Sequence, residues 1–417
     1  MLLRSACRMM AAVVLLFFAG HSLAEDKTFD DLKTFDPETQ LYLGEMYYSG
    51  TGVAVDQAEA LRWYTLAAEQ GMEAAQFRVG DMHLKGEGTD VDKAVALEWF
   101  ILSAEQGNAD AQFVAGDLLA QGDGVPRDED AAVGWFSLAA AQGLSDAMGE
   151  LGRMYAQGAG VAQDMAEAEF WYAEAADSGS VWAQYELGRM LSTGENGITI
   201  DYPAAFERYM QAAKQGNALA QNEVARMLVQ GQGVEIDLER AQTYYTLAAS
   251  QGAVWSQYEL GILLAKQEGD GPARAAEWFK RAANQDNALA QYELGLMYAK
   301  GQGIEADGPQ AAKLLGLAGE AGNTWAMYEH ARLLEKGELL DADVQGAFTL
   351  FATAAEMGNG WALYELARMT ANGIGTEKDE SEAALMYRNA AELGIEPALK
   401  DFYNLCNQAE PPDGCKT

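Results

Sequence analysis

The stretch Ala183-Gln184-Tyr185-Glu186-Leu187-Gly188-Arg189-Met190-Leu191 decides the fold. Its small and large apolar residues recur at three- and four-residue intervals, the spacing that gathers side chains on one face of an α-helix. The pattern ends in the glycine pair Gly194/Gly197 and recurs before Gly50/Gly52, Gly86/Gly88, Gly122/Gly124, Gly158/Gly160, Gly231/Gly233, Gly301/Gly303 and Gly373/Gly375. At such glycines the chain can enter the left-handed region that terminates helices. Four residues after the pair stands an aspartate, at Asp56, Asp92, Asp128, Asp164, Asp201, Asp237, Asp307 and Asp379. An aspartate there reads as the N-cap of a second helix, accepting from free first-turn amides for about 0.5–2 kcal/mol apiece. The second helix is exemplified by Ala60–Ala68 and Ala168–Ala176, whose alanines let neighbouring helices approach closely.

Working outward, one more glycine closes each unit, at Gly71, Gly107, Gly143, Gly179, Gly216, Gly252, Gly322, Gly358 and Gly394, with Asp286 in its place once. Successive steps are 36 residues, except 37 before Gly216 and 34 before Asp286. A fixed period between about 20 and 50 residues marks a solenoid. This resolves the length problem, because 417 residues exceed what one compact core sustains. About ten hairpins run from Asp36 to Leu393, each too small to bury its own apolar face and stable only when stacked, with the ends capped. Residues 25–35 form a polar N-terminal extension. Residues 395–417 read as a C-terminal capping helix and tail, with Ala398, Phe402 and Leu405 covering the last hairpin.

Apolar residues make up 49% of the chain, which excludes wholesale disorder. Asp and Glu number 63 against 28 Lys and Arg, a net charge of −35, so nucleic acid and anionic membranes are poor partners. Arg4 and Arg8 precede the apolar run Met9–Gly20, and Ser22-Leu23-Ala24 offers small residues where a signal peptidase cuts. Residues 1–24 therefore read as a signal peptide cleaved near Ala24, placing the protein in the periplasm or outside the cell. The alternative is an uncleaved anchor, although the apolar run is shorter than the roughly 20 residues a bilayer requires. No transmembrane anchor is expected. Cys406 and Cys415 lie nine apart in the tail, and an oxidising compartment would join them as a disulfide rather than leave two free thiols.

Catalytic signatures are sparse. His83 and His330 lie far apart without Cys or His at ligand spacing, which argues against a zinc site. Neither Ser-x-x-Lys nor Gly-x-Ser-x-Gly occurs, and the glycine pairs lack the Gly-Lys-Ser/Thr of a phosphate loop. The acidic turn Gln121–Ala131 reads as a solvated turn with an N-cap, with calcium binding as the lesser reading. No cofactor, metal or catalytic residue is expected.

The hairpin resembles the Sel-one-like repeat (SLR) family, relatives of the tetratricopeptide (TPR) repeats. The resemblance is carried by the Leu-Gly of the first helix (Leu43-Gly44, Leu151-Gly152, Leu187-Gly188, Leu260-Gly261, Leu294-Gly295), the glycine pair, the capping aspartate, the Ala-Ala of the second helix and the closing glycine. It implies an all-α fold, a right-handed α-solenoid superhelix of about ten 36-residue helix-turn-helix SLR/TPR-like repeats with a C-terminal capping helix. Departures fall at Ala225, Ala331 and Ala367, which replace the first-helix glycine, at the shortened turn Gln267–Pro272, where a local change of superhelical pitch is expected, and at Lys336–Asp343, which lacks a glycine pair.

Function in a solenoid lies in the positions its framework leaves free. The residue before the motif alanine of each first helix runs Ala74, Asp110, Asp146, Trp182, Leu219, Trp255, Leu289, Trp325, Trp361. At 100° per residue Trp182 points away from Leu187 and Leu191, and Glu186 and Arg189 share its face. The carboxylates Glu150, Glu186, Glu223, Glu259, Glu293, Glu329 and Glu365 recur there, often three residues before Arg153, Arg189, Arg226, Arg332 or Arg368. By resemblance to TPR arrays, first helices line a concave groove, and helices 8–10 Å apart would spread the six large apolar residues over roughly 40–50 Å. Either each Trp packs against the adjacent repeat, with Glu and Arg in weak intrahelical pairs, or the register is a binding strip. The second reading makes Trp182, Glu186, Arg189, Leu219, Trp255, Glu259, Leu289, Trp325, Glu329, Trp361 and Glu365 the partner-binding residues.

The expected function is a non-catalytic protein-interaction scaffold of the periplasm or exterior. Its partner would be another envelope or secreted protein presenting a segment with apolar and basic side chains. The resemblance adds exopolysaccharide export or its regulation, and host interaction, as settings. Alternatives are a polysaccharide-binding envelope protein, since aromatic rings also stack on sugars, and a cell-wall or β-lactam hydrolase.

Overall fold

The computed structural model describes residues 34–407 and 411–415, so the expected signal peptide lies outside the described residues. Among them run 21 α-helices and no strand. In chain order they are α1 (Pro37–Ser49), α2 (Gln57–Glu69), α3 (Glu73–Lys85), α4 (Lys93–Glu105), α5 (Ala109–Gln121), α6 (Glu129–Ala141), α7 (Ser145–Gln157), α8 (Met165–Asp177), α9 (Val181–Thr193), α10 (Tyr202–Lys214) and α11 (Ala218–Gln230). There follow α12 (Leu238–Ser250), α13 (Val254–Ala265), α14 (Gly271–Ala283), α15 (Ala288–Lys300), α16 (Gly308–Glu320), α17 (Thr324–Lys336), α18 (Val344–Glu356), α19 (Gly360–Asn372), α20 (Glu380–Glu392) and α21 (Glu396–Cys406). Odd-numbered helices through α19 are the first helices of hairpins and even-numbered ones the second. The fold is an all-α solenoid of helical hairpins. It divides into two compact units, one ending at Ala212 and the other beginning at Ala213.

In the first unit the hairpin core is a ring from the second helix laid on the glycine of the first. A Cβ at Gly188 of α9 would stand 2.8 Å from Cδ1 of Tyr209 in α10, inside any tolerable contact, so the glycine permits the close approach. Phe136, Leu151, Met154, Tyr172 and Leu187 continue this core. A polar device couples successive repeats. Gln112 of α5 is buried, donates from Nε2 to the Ala104 carbonyl of α4 in the preceding hairpin at 3.0 Å, and accepts from Nε2 of Gln142, at the end of α6 in its own hairpin, at 2.8 Å. Gln76 repeats it with Ala68 and Gln106. Buried amides satisfied on both sides supply direction that apolar packing lacks.

The second unit uses the same parts. Gln221 donates to the Ala213 carbonyl and accepts from Gln251, and Gln257 donates to the Ala249 carbonyl and accepts from Gln285. Ala225, Ala331 and Ala367 are wholly buried where other repeats have glycine, so the helix pair tolerates one methyl group. Asp237 caps α12, accepting from the Arg240 amide at 3.0 Å. The first helices have caps too: Asn217, Asn287 and Asn359 accept from the amides three residues on. The turn after α13 spans only Lys266–Asp270, against Gly231–Asp237 after α11, and the Asp270 side chain makes no capping bond. That shortening leaves a pocket of about 410 Å³ lined by Phe279, Glu293, Leu296 and Met297, among others. At the C-terminus, Ala398 and Leu405 of α21 bury against Ala384 and Tyr387 of α20. Cys406 and Cys415 are disulfide-bonded with Cα atoms 5.6 Å apart, and the Asp413 amide donates to Ser381 Oγ at 3.1 Å, holding the tail on α20.

Candidate functional site

In the second unit the register before the motif alanine faces solvent on five successive first helices. Trp255 is 60% exposed and Trp325 48%, and Leu219, Leu289 and Trp361 are also exposed. The indoles are not walled in by the next hairpin. Each stands edge-on to a tyrosine one turn further along its own helix: Trp255 to Tyr258 at 6.3 Å, Trp325 to Tyr328 at 5.7 Å and Trp361 to Tyr364 at 6.1 Å between ring centroids. The tyrosines in turn lean on the hairpin core, as Tyr258 does on Phe279 and Tyr328 on Phe351. Edge-to-face contacts of this kind contribute about 0.5–1.5 kcal/mol beyond area and hold the rings upright. Between α15 and α17 an open hollow of about 770 Å³ is lined by Leu289, Tyr292, Glu293 and Trp325, among others.

The carboxylate row divides into two kinds. Glu223 pairs with Arg226 at 2.7 Å, Glu329 with Arg332 at 3.4 Å and Glu365 with Arg368 at 2.6 Å, and Arg368 also reaches Glu335 at 2.5 Å. Glu259 and Glu293 have Ile262 and Leu296 where the arginine would stand, and among the described residues neither has an ion-pair or hydrogen-bond partner. Both are half-buried, and burial pushes their carboxyls above the ordinary 4.5, with Lys266 and Lys300 pulling weakly the other way. The same desolvation, with the charges of Glu329 and Glu293 added, pushes Tyr292 up to about 12.

Trp182, Glu186 and Arg189 belong to the first unit, where Trp182 is exposed to the same degree as Leu289 but has a different ring partner. Trp182 packs edge-on against Tyr172 of α8, ring centroids 5.4 Å apart, and its ring crosses Gly149 of α7, where a Cβ would come within 2.9 Å. Gly149 occupies the place of Tyr185, Tyr258 and Tyr292 in other repeats, so the missing side chain leaves the space into which Trp182 leans. Arg189 holds Glu186 at 2.9 Å and Glu195 at 2.6 Å.

Among the described residues, no group of three or more His, Cys, Asp or Glu is placed to hold a metal ion. In the acidic turn after α5, Asp123 pairs with Lys93, and Asp128 accepts from the Ala131 amide at 3.0 Å. His83 and His330 each bury an Nδ1 with no hydrogen-bond partner. No helix of the described residues is long and apolar enough to cross a membrane.

The fold and its surface define a TPR-like α-solenoid with a solvent-facing aromatic strip. The chain belongs to the Sel1 repeat family: ten repeats match, at residues 37–72, 73–108, 109–144, 145–180, 183–217, 218–252, 256–287, 288–323, 326–359 and 362–395. Among solved structures it is similar to c5321, described as a protective antigen present in uropathogenic Escherichia coli strains displaying an SLR fold, with 31% identity and a TM-score of 0.81 over 90% of this chain and 81% of that one. A Sel1 repeat protein from Oxalobacter formigenes is 26% identical over 58% of this chain and 96% of that one, with a TM-score of 0.49. No curated protein matches. Sel1 repeat proteins serve as protein-interaction scaffolds.

Proposed function

We propose that this chain is a non-catalytic scaffold that docks a segment of a partner polypeptide along the first helices of its second unit. The observation that carries the reading is the run of exposed Leu219, Trp255, Leu289, Trp325 and Trp361 on α11, α13, α15, α17 and α19. Exposed apolar side chains arrayed at one register, rimmed by charge and braced from behind, have the anatomy of binding anchors, because rigid aromatics contribute large contact area at small entropic cost. The disulfide and the signal-like residues 1–24 support export to the periplasm or exterior, where the partner would be another envelope or secreted protein.

Panning a random dodecapeptide phage library on the purified chain tests the reading. Wild type should enrich a family of peptides, and Trp255→Ala with Trp325→Ala should lose them while melting at an unchanged temperature. Absence of enrichment on wild type, or equal enrichment on the double variant, would overturn it.

A further inference from the structure

We propose that the segment docked on this strip presents a lysine or arginine, flanked by apolar or aromatic side chains, to the neighbouring carboxylates Glu259 and Glu293. The inference rests on the docking reading above and names the chemistry of its occupant. Glu150, Glu186, Glu223, Glu329 and Glu365 are each neutralised by an arginine three residues on. The exception falls on the two consecutive helices α13 and α15, where Ile262 and Leu296 take the arginine's place.

An unpaired carboxylate held half out of water raises the energy of the folded chain, and its missing counter-charge is a cation supplied from outside. Lys266 and Lys300 lie seven residues on, just past the end of α13 and at the end of α15, and neither forms an ion pair with these carboxylates. The surroundings suit a basic side chain with apolar neighbours. Trp255 stands one turn before Glu259 and Leu289 one turn before Glu293, and the 770 Å³ hollow joins Glu293 to Leu289, Tyr292 and Trp325. On its other side Glu293 lines the pocket opened by the shortened turn. A net charge of −35 draws basic segments toward the chain and repels acidic ones, while the unpaired carboxylates fix where along the strip the cation settles.

The test uses the full chain and the dodecapeptides it enriches, made as fluorescein conjugates, each beside a copy with every Lys replaced by norleucine and every Arg by citrulline. Anisotropy titrations compare wild type, Glu259→Gln with Glu293→Gln, and Ile262→Arg with Leu296→Arg, the last of which supplies the internal partner seen in the other repeats. The enriched peptides should contain a basic residue, and neutralising it should weaken binding to wild type about tenfold or more. Both double variants should bind the basic peptide about tenfold more weakly and the neutral copy as wild type does. Enriched peptides without a basic residue, or basic and neutral copies bound equally by wild type, would overturn the inference. If those same peptides still required Trp255 and Trp325, the docking reading would stand without it. Should the arginine variant not fold, the glutamine variant decides: unchanged affinity for the basic peptide refutes the pairing.

Discussion

Replacing Asp286 by glycine should stabilise the second unit, and replacing Gly252 by alanine should destabilise it, both through one backbone rule. The two residues close successive repeats in the left-handed region, Gly252 at φ 93° and Asp286 at φ 59°, and Asp286 is the only non-glycine with positive φ among the described residues. A Cβ at Gly252 would meet nothing within 4 Å, so the alanine introduces strain without a clash. Left-handed backbone costs a non-glycine residue roughly 1–2 kcal/mol. Alanine returns about 0.4–1 kcal/mol by restricting the unfolded chain. The net loss for Gly252→Ala is then about 1 kcal/mol. Aspartate tolerates the conformation better than alanine, so Asp286→Gly relieves only the lower end of the strain and regains about 0.5 kcal/mol once the added unfolded-state freedom is subtracted. For a unit of about 200 residues, 1 kcal/mol shifts Tm by about 2–4 °C. Calorimetry should therefore show a fall of about 2–4 °C for Gly252→Ala and a rise of about 1–2 °C for Asp286→Gly. Asp286→Ala keeps the strain but removes a negative charge from an acidic chain, and so separates the two causes. An Asp286→Gly variant no more stable than wild type, or an Asp286→Ala variant matching it, would refute the reasoning.

Three further outcomes follow from the geometry. Gln112→Ala should cost about 1–3 kcal/mol in urea unfolding, because it removes two hydrogen bonds worth about 0.5–1.5 kcal/mol each, while the Ala104 carbonyl keeps the Gly107 amide and the exposed Gln142 turns to water. His330 sits where other repeats have leucine, and burial holds its imidazole below the ordinary 6.5. The unfolded chain therefore takes up the proton first, so the stability of the neutral form is complete above about pH 6.5 and lost as pH falls below it. His330→Leu should remove that part of the pH dependence and raise stability by about 1 kcal/mol at neutral pH, read from melts across the range. Reducing Cys406–Cys415 should loosen the tail from α20 and cost up to about 3 kcal/mol on a chain-entropy estimate for so short a loop, seen as a lower Tm with reductant that a Cys406→Ser, Cys415→Ser variant reproduces without it.

The hairpins were legible because their determinants are local. A glycine that must turn left-handed and an aspartate that caps a first turn act within a few residues, so Gly231, Gly233 and Asp237 announce a helix end and a helix start. The asparagine caps were equally local, one residue past the closing glycine at Asn217 and Asn359. The glutamine ladder was not legible in this way, since Gln112 is a polar residue whose two partners lie eight and 30 positions away. The strip was readable as a register, with Trp182 and Trp255 indistinguishable along the chain. What separates them is Gly149, a residue of the preceding repeat, and only the packing of α7 against α9 shows that Trp182 leans into that space. The division into two units left no mark in the 36-residue period, and within the second unit the expected register is solvent-exposed from Leu219 to Trp361.

Hydroxyl-radical footprinting of the whole chain, free and then saturated with an enriched peptide, tests most directly whether the second unit holds a polypeptide on its aromatic strip. Trp255, Trp325 and Trp361 should oxidise much faster than the buried Trp63 in the free protein and lose most of that reactivity on binding, with Trp63 unchanged. Protection appearing elsewhere while these three indoles stay equally reactive would contradict the account.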